Sequence, residues 1–159
     1  MAFTSSKTLA AWPQHHLVHW LRLALERFDA RVMELMAHHP GVPLGLSNLA
    51  ARGQVSAAHI HITRHLPPQG ARLTELAARA GMTKQAMGAL VTQCEAWGMV
   101  QRAPDPNDAR ARQVQFTATG RAWLAAYYEA VQQTEAELRA ALGADVATVI
   151  TLGLEAYSS

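Results

Sequence analysis

Apolar residues recur at steps of three and four along residues 15–36, at Leu17, Leu21, Ala24, Phe28, Val32 and Leu35. That period predicts one long amphipathic helix, which Pro40-Gly41 ends. Pro and Gly punctuate residues 43–53, where a loop with a short helical turn is expected. Ser56 is placed to cap a helix running to about His65, and Pro67-Pro68 stops it. Two short helices follow over 74–80 and 83–97, with Gly81 between them and Gly98 after the second.

The period then changes from helical spacing to alternation. Residues 99–103 and 112–117 suit short strands, the second with Arg112, Val114 and Phe116 against Gln113 and Gln115. Pro104-Asp105-Pro106-Asn107-Asp108 between them has turn chemistry, so the pair reads as a β-hairpin with an exposed loop. Thr119 is placed to cap a long helix striped by Leu124, Tyr127, Val131, Leu138 and Leu142. Gly143 breaks it, and Val146, Val149, Ile150 and Leu154 mark a last helix. The fold class expected is mainly α with a small β-wing.

Residues 73–98 have the spacing of a helix-turn-helix. Ala77 is small where two helices must approach closely, and Gly81 permits the tight turn. Met87, Leu90, Val91, Cys94 and Trp97 fall on one inward face of the second helix. Lys84, Gln85, Gly88, Ala89 and Thr92 are left outside. Gln can pair with adenine edges and Lys with guanine or phosphate, while Gly and Ala let a helix sink into the major groove. An ordinary helical hairpin with a solvated face has the same spacing. The wing that follows is what favours the DNA reading. Arg110 and Arg112 near its tip suit a narrow, electronegative minor groove, and Asp108 is placed to orient Arg110.

Charge and composition sharpen this. The formal net charge of +2 argues nothing by itself, but its distribution does. Arg79, Lys84, Arg102, Arg110, Arg112 and Arg121 face only Glu95, Asp105 and Asp108 in the middle of the chain. From Glu129 onward Glu129, Glu135, Glu137, Asp145 and Glu155 oppose Arg139 alone. A basic middle and an acidic tail suit a chain of which one segment meets phosphate. The single cysteine, Cys94, allows no intrachain disulfide and points to a reducing compartment. The first residues lack a signal-peptide pattern, and no apolar run approaches the ~20 residues of a bilayer span. A cytoplasmic chain with no membrane partner is expected.

The strings LTELAARAGMTKQAM, LVTQCEAWGMVQR and DPNDARARQVQFTATGR together resemble the MarR family of bacterial regulators. Asp105, Asp108 and Arg110 match the family's wing aspartates and minor-groove arginine. Gly98 and Arg102 match the end of its recognition helix and first wing strand, and Thr119-Gly120-Arg121 the start of the next helix. Thr83, Lys84 and Gln85 match its recognition-helix start. Ala109 stands where an arginine is common, and Trp97 where a polar residue is usual. The resemblance implies a single domain over 1–159, with a winged helix-turn-helix at 55–118 and a helical dimerisation region at 12–40 and 119–157. It implies a sequence-specific transcriptional regulator whose partners are double-stranded DNA and a second copy. Repression is expected, because a compact dimer over a promoter blocks polymerase by occupancy alone. Trp12, Leu17, Trp20, Leu21, Tyr127, Tyr128, Val149, Ile150 and Leu154 supply more apolar surface than a small winged domain needs, which supports the homodimer independently. A two-fold dimer sets its recognition helices roughly 34 Å apart, for a pseudo-palindromic operator with half-sites about ten base pairs apart.

The resemblance also implies a response to a small molecule, metal or oxidant, for which three features are candidates, Cys94 being the one for an oxidant. His15/His19 and His61/His65 each share a helix face and are candidate metal ligands, but no Cys or carboxylate completes a set, so packing or surface histidines are the plainer reading. Cys94 lies on the inward face with Leu90 and Val91, where a thiol is inert. Trp20, Phe28, His59 and Ile62 are candidates to line an apolar pocket between the modules, where the resemblance places lipophilic effectors, although such stripes are usually core. No cofactor is expected. No nucleophile elbow, phosphate loop or paired-carboxylate site is present, so an enzyme is not expected. The rival is a winged-helix module that contacts proteins without specific DNA binding, which the sparse charge of the recognition helix favours.

Overall fold

The computed structural model describes residues 16–55, 57–106 and 108–159. Ser56, and with it the expected cap, lies outside them, as do Trp12 and His15. The elements run α1 (Leu17–His38), α2 (Leu44–Ala51), α3 (Ala57–His65), β1 (Ala71–Arg72), α4 (Leu73–Arg79), α5 (Lys84–Ala96), β2 (Val100–Asp105), β3 (Asp108–Phe116), α6 (Ala118–Leu142) and α7 (Ala144–Ser158). The expected mainly helical architecture with a β-wing is what the chain adopts.

Residues expected as a loop with one turn form the two-turn helix α2 instead. Pro43 occupies its N-cap, where a missing N–H costs nothing, and Leu46 and Ala50 are buried one turn apart against α1. Tertiary burial outweighed local Pro and Gly punctuation there. The wing is a three-stranded antiparallel sheet in the order β1-β3-β2, not a bare hairpin. Ala71 and Arg72 pair with Val114 and Gln113, a strand too short to show alternation. β2 and β3 extend further toward the tip than expected, with Pro104 opposite Arg112. Proline is accommodated there because β2 is an edge strand. The cap of α6 is Thr117 rather than Thr119, which lies inside the helix.

The core joins the scaffold to the winged module. Val32 and Met36 of α1, Ile62 of α3, Leu76 of α4, Met87, Val91 and Cys94 of α5, Val114 and Phe116 of β3, and Trp123 of α6 form one buried cluster. Polar links cross the same junction. The Trp123 indole N–H donates to the Thr63 hydroxyl at 3.3 Å, and Arg64 donates to the Tyr127 hydroxyl at 3.0 Å and to Asp29 at 2.5 Å. Arg31 makes a two-armed bridge to Glu137, both contacts 2.8 Å, tying α1 to α6. Tyr127, expected on the outer apolar surface, is thus turned inward and buried.

Beyond this junction the helices run out uncovered. Leu17, Val18 and Trp20 at the start of α1 are exposed, as are Val149, Ile150, Leu152, Leu154 and Tyr157 on α7. Ala147 is the one buried residue of α7. No single helix among the described residues is long and apolar enough to cross a membrane.

Candidate nucleic-acid interface

The turn between α4 and α5 is made by backbone geometry that glycine alone adopts cheaply. Gly81 has φ +63°, and the Met82 N–H reaches back to the Ala77 carbonyl at 2.9 Å. Gly98 repeats the device at the end of α5, with φ +71° and Met99 N–H on the Cys94 carbonyl at 2.9 Å. Between these two stops α5 is held by Met87, Val91 and Cys94, which are fully buried. Leu90 and Trp97 on the same side are only partly buried. Thr83 caps the helix by accepting the Ala86 N–H at 3.2 Å.

That packing leaves Lys84, Gln85, Ala89 and Thr92 exposed along one side of α5. Gly88 sits at the margin: a methyl there would meet only Leu73, at 3.7 Å. Lys84 is the one charge on this side. Thr92 is not free, since its hydroxyl donates to the Gly88 carbonyl at 3.0 Å and accepts from Arg102 at 3.2 Å. Arg102 in turn pairs with Glu95, which also accepts the Arg102 backbone N–H at 3.1 Å. This cluster locks β2 onto α5, and so fixes the wing relative to the helix.

Arg110 and Arg112 stand exposed on β3 near the tip. Asp108 accepts the Arg110 backbone N–H at 3.1 Å, so it orients that residue through the main chain. Arg72 was not singled out from the sequence, yet it meets both wing aspartates: Nε lies 2.7 Å from Asp105 and Nη2 3.4 Å from Asp108. A separation of 33 and 36 residues leaves no local signal for this. The two carboxylates hold the Arg72 guanidinium more firmly protonated than usual.

At the base of the wing, Thr117 joins three elements. Its hydroxyl donates to the Gly98 carbonyl at 2.5 Å and accepts the Gly120 N–H at 3.0 Å, while its N–H donates to Met99 at 3.1 Å.

The candidate effector residues are dispersed. Ile62 is fully buried and Phe28 packs against the core, while Trp20 is exposed two turns earlier on α1. His59 is buried, with Nε2 3.0 Å from Gln93 Oε1 and its ring 4.6 Å from that of Trp97, so it touches α5. Of the candidate metal ligands, His19 contacts Trp20 edge-on and His65 is half-buried; the side chain of His61, like His15, lies outside the described residues. No group of three or more His, Cys, Asp or Glu is gathered for a metal among the described residues. Cys94 is buried, and desolvation pushes its thiol up to about 12.

Residues 60–111, which hold α4, α5 and most of the wing, match the MarR family. That match spans about a third of the chain. The MarR-like architecture extends over nearly the whole chain. The repressor CouR bound to a 23-mer DNA duplex superposes with a TM-score of 0.68 at 22% identity, covering 99% of this chain and 100% of that one. CouR bound to p-coumaroyl-CoA gives 0.69 at 20% identity, covering 99% and 98%. Apo MarR from E. coli gives 0.63 at 20% identity, covering 89% and 96%. No curated protein matches the chain in sequence. The chain therefore shares the fold of these structures, and its winged segment is similar to the MarR family.

Proposed function

We propose that this protein is a transcriptional repressor that binds a pseudo-palindromic operator as a homodimer and is released by a small lipophilic effector. The observation that carries the reading is the joint presentation of two elements. A capped α5 offers Lys84, Gln85 and Ala89 along one exposed side, and the adjoining wing offers Arg110 and Arg112. A helix with small residues at its surface enters a major groove closely, and an arginine-tipped hairpin reaches the flanking minor groove. That the similarly folded repressor CouR is bound to a DNA duplex supports the DNA-binding reading.

The homodimer rests on α7 and the start of α1. A helix of fifteen residues with a single buried one, and with Val149 and Tyr157 70% and 90% exposed, does not stand alone in water. A second copy covering these helices in a two-fold arrangement gives two recognition helices to one duplex. The effector rests on buried His59 and Ile62 of α3 and on the ligand-bound state of the similarly folded CouR. His59 touches α5 directly, so a molecule binding beside it unequally in two conformations shifts DNA affinity. The exposed wing arginines suit a binding protein rather than an enzyme, which needs a water-excluded site.

The test is binding of the purified protein to the DNA upstream of its own coding region, at two salt concentrations, against a scrambled duplex. Selective binding that weakens steeply with salt is expected, and Arg110→Ala should lower affinity by roughly tenfold or more. A module that contacts proteins instead is favoured by Lys84 being the one charge on the exposed side of α5; it would bind both duplexes alike and ignore the substitution.

A further inference from the structure

We infer that Arg72 is a positioning residue for DNA binding, a strap from β1 across the sheet that presents the wing tip through Asp105 and Asp108. The inference rests on the DNA-binding reading above and adds to it a residue outside both the recognition helix and the wing hairpin.

Topology puts Arg72 where it can act. β1 and β2 flank β3, so Arg72 pairs with Gln113, and Gln113 pairs with Ala103 on the far strand. From that row the side chain reaches toward the tip to Asp105, the last residue of β2, and to Asp108, the first of β3. Both ends of the wing loop are therefore gripped by one guanidinium. The fork geometry of arginine permits this, with Nε on one carboxylate and Nη2 on the other. Asp105 is 8% exposed, so its carboxylate lies mostly out of water beside that partner.

The chain onward to the DNA-facing group is short. Asp108 uses one oxygen toward Arg72 and the other for the Arg110 backbone N–H. Fixing Asp108 fixes where β3 starts and where Arg110 is aimed. β2 and β3 shift register between Pro104 and Asp105, so ladder hydrogen bonds alone do not set the tip.

Charge points the same way. Across residues 105–112 the two arginines are cancelled by the two aspartates, and Arg102 is paired with Glu95 on α5. Arg72 offsets the two carboxylates it holds rather than offering a free charge to the DNA, which is the part of a positioning residue. Glu75 occupies the Arg72 backbone N–H at 3.2 Å as the first turn of α4 begins, so the strap is anchored to the helix-turn-helix itself.

The experiment is a double-mutant cycle with Arg72→Ala and Arg110→Ala, read as affinity for the upstream duplex across a salt series. Arg72→Lys and a thermal melt of each variant accompany it. Arg72→Ala is expected to weaken binding roughly tenfold, and Arg72→Lys to recover only part, because an ammonium cannot span both carboxylates. In the Arg110→Ala background, removing Arg72 should cost less than about twofold and leave the salt slope unchanged, since the group it positions is gone. Independent losses that multiply, with a slope lowered by about one more ion, would make Arg72 a direct phosphate contact and overturn the inference. Full recovery by lysine would overturn it too. Selective wild-type binding that Arg72→Ala leaves intact refutes the inference alone. Wild-type protein that binds both duplexes equally removes the DNA-binding reading, and the inference with it. If Arg72→Ala melts before the assay temperature, Asp108→Asn replaces it in the same cycle, with the same sub-additivity expected.

Discussion

Gly120 lies in the first turn of α6, pressed against the end of the wing. A methyl built there would stand 1.9 Å from the Met99 carbonyl oxygen, 2.9 Å from its carbon and 3.0 Å from Phe116 Cδ1. Two of those three atoms are backbone, so no rotamer change relieves the overlap. Bringing the oxygen to a tolerable distance opens the β2–α6 junction by about 1 Å, at a cost of about 1–3 kcal/mol for overpacking. The same movement pulls on the Thr117 cap, whose hydroxyl bonds Gly98 on one side and Gly120 on the other, worth about 1 kcal/mol more. Gly120→Ala should therefore destabilise the protein by about 3 kcal/mol, a fall in Tm of about 6–12 °C for a chain of this size. Helix propensity alone gives the opposite sign, since alanine is favoured over glycine within a helix by up to about 1 kcal/mol. Gly88→Ala in α5 supplies the control. There the new methyl meets only Leu73 Cδ2 at 3.7 Å, so propensity should win, with a gain of about 0.4–1 kcal/mol. Chemical and thermal denaturation at one fixed protein concentration decide the matter, because an oligomer's Tm depends on concentration. A Gly120→Ala protein within about 1 kcal/mol of wild type would refute the reasoning, as would a Gly88→Ala protein that loses as much as Gly120→Ala.

Two further predictions concern ionisable groups. Cys94 is buried with its thiol pushed up to about 12, so the native protein at pH 8 should resist a thiol reagent and react with one equivalent only after unfolding; rapid native labelling would contradict this burial. The Arg31 guanidinium holds Glu137 down to about 2 from a normal value of 4.5. A carboxylate with a depressed folded value contributes stability above its unfolded value, and loses it as pH falls through the folded one. Glu137→Gln should therefore show a shallower loss of stability than wild type between about pH 4.5 and 2, the bridge being exposed enough for the difference to be small and reduced by salt. Parallel acid-induced losses in the two proteins would show that the bridge contributes nothing.

Local chemistry decided a good deal of this protein. The 3.6-residue period of Leu21, Phe28, Val32 and Leu35 places the first helix, and Met87, Val91 and Cys94 define the inward face of α5. Gly81 and Gly98 mark its two ends because positive φ is a single-residue property that composition reveals. The exposure of Lys84, Gln85 and Ala89 follows from the same pattern. Arg110 and Arg112, by contrast, share the alternation of buried Val114 and Phe116 and are exposed because β3 has run past the core toward the wing tip. What tertiary structure alone decided is of another kind. Residues 44–51 became helical because Leu46 and Ala50 found a buried surface on α1, overriding their Pro and Gly flanks. Thr117 rather than Thr119 became the cap because the wing strand ended one residue before it, leaving its hydroxyl to bond Gly98 and Gly120 together. Tyr127 turned inward because Arg64 from another helix was there to donate to it. Arg72 met Asp105 and Asp108 because a two-residue strand, too short to carry any periodic signal, paired beside β3. Periodicity reports which face of an element is buried. It carries no information on which distant side chain will stand opposite, and that is where the positioning of the wing was settled.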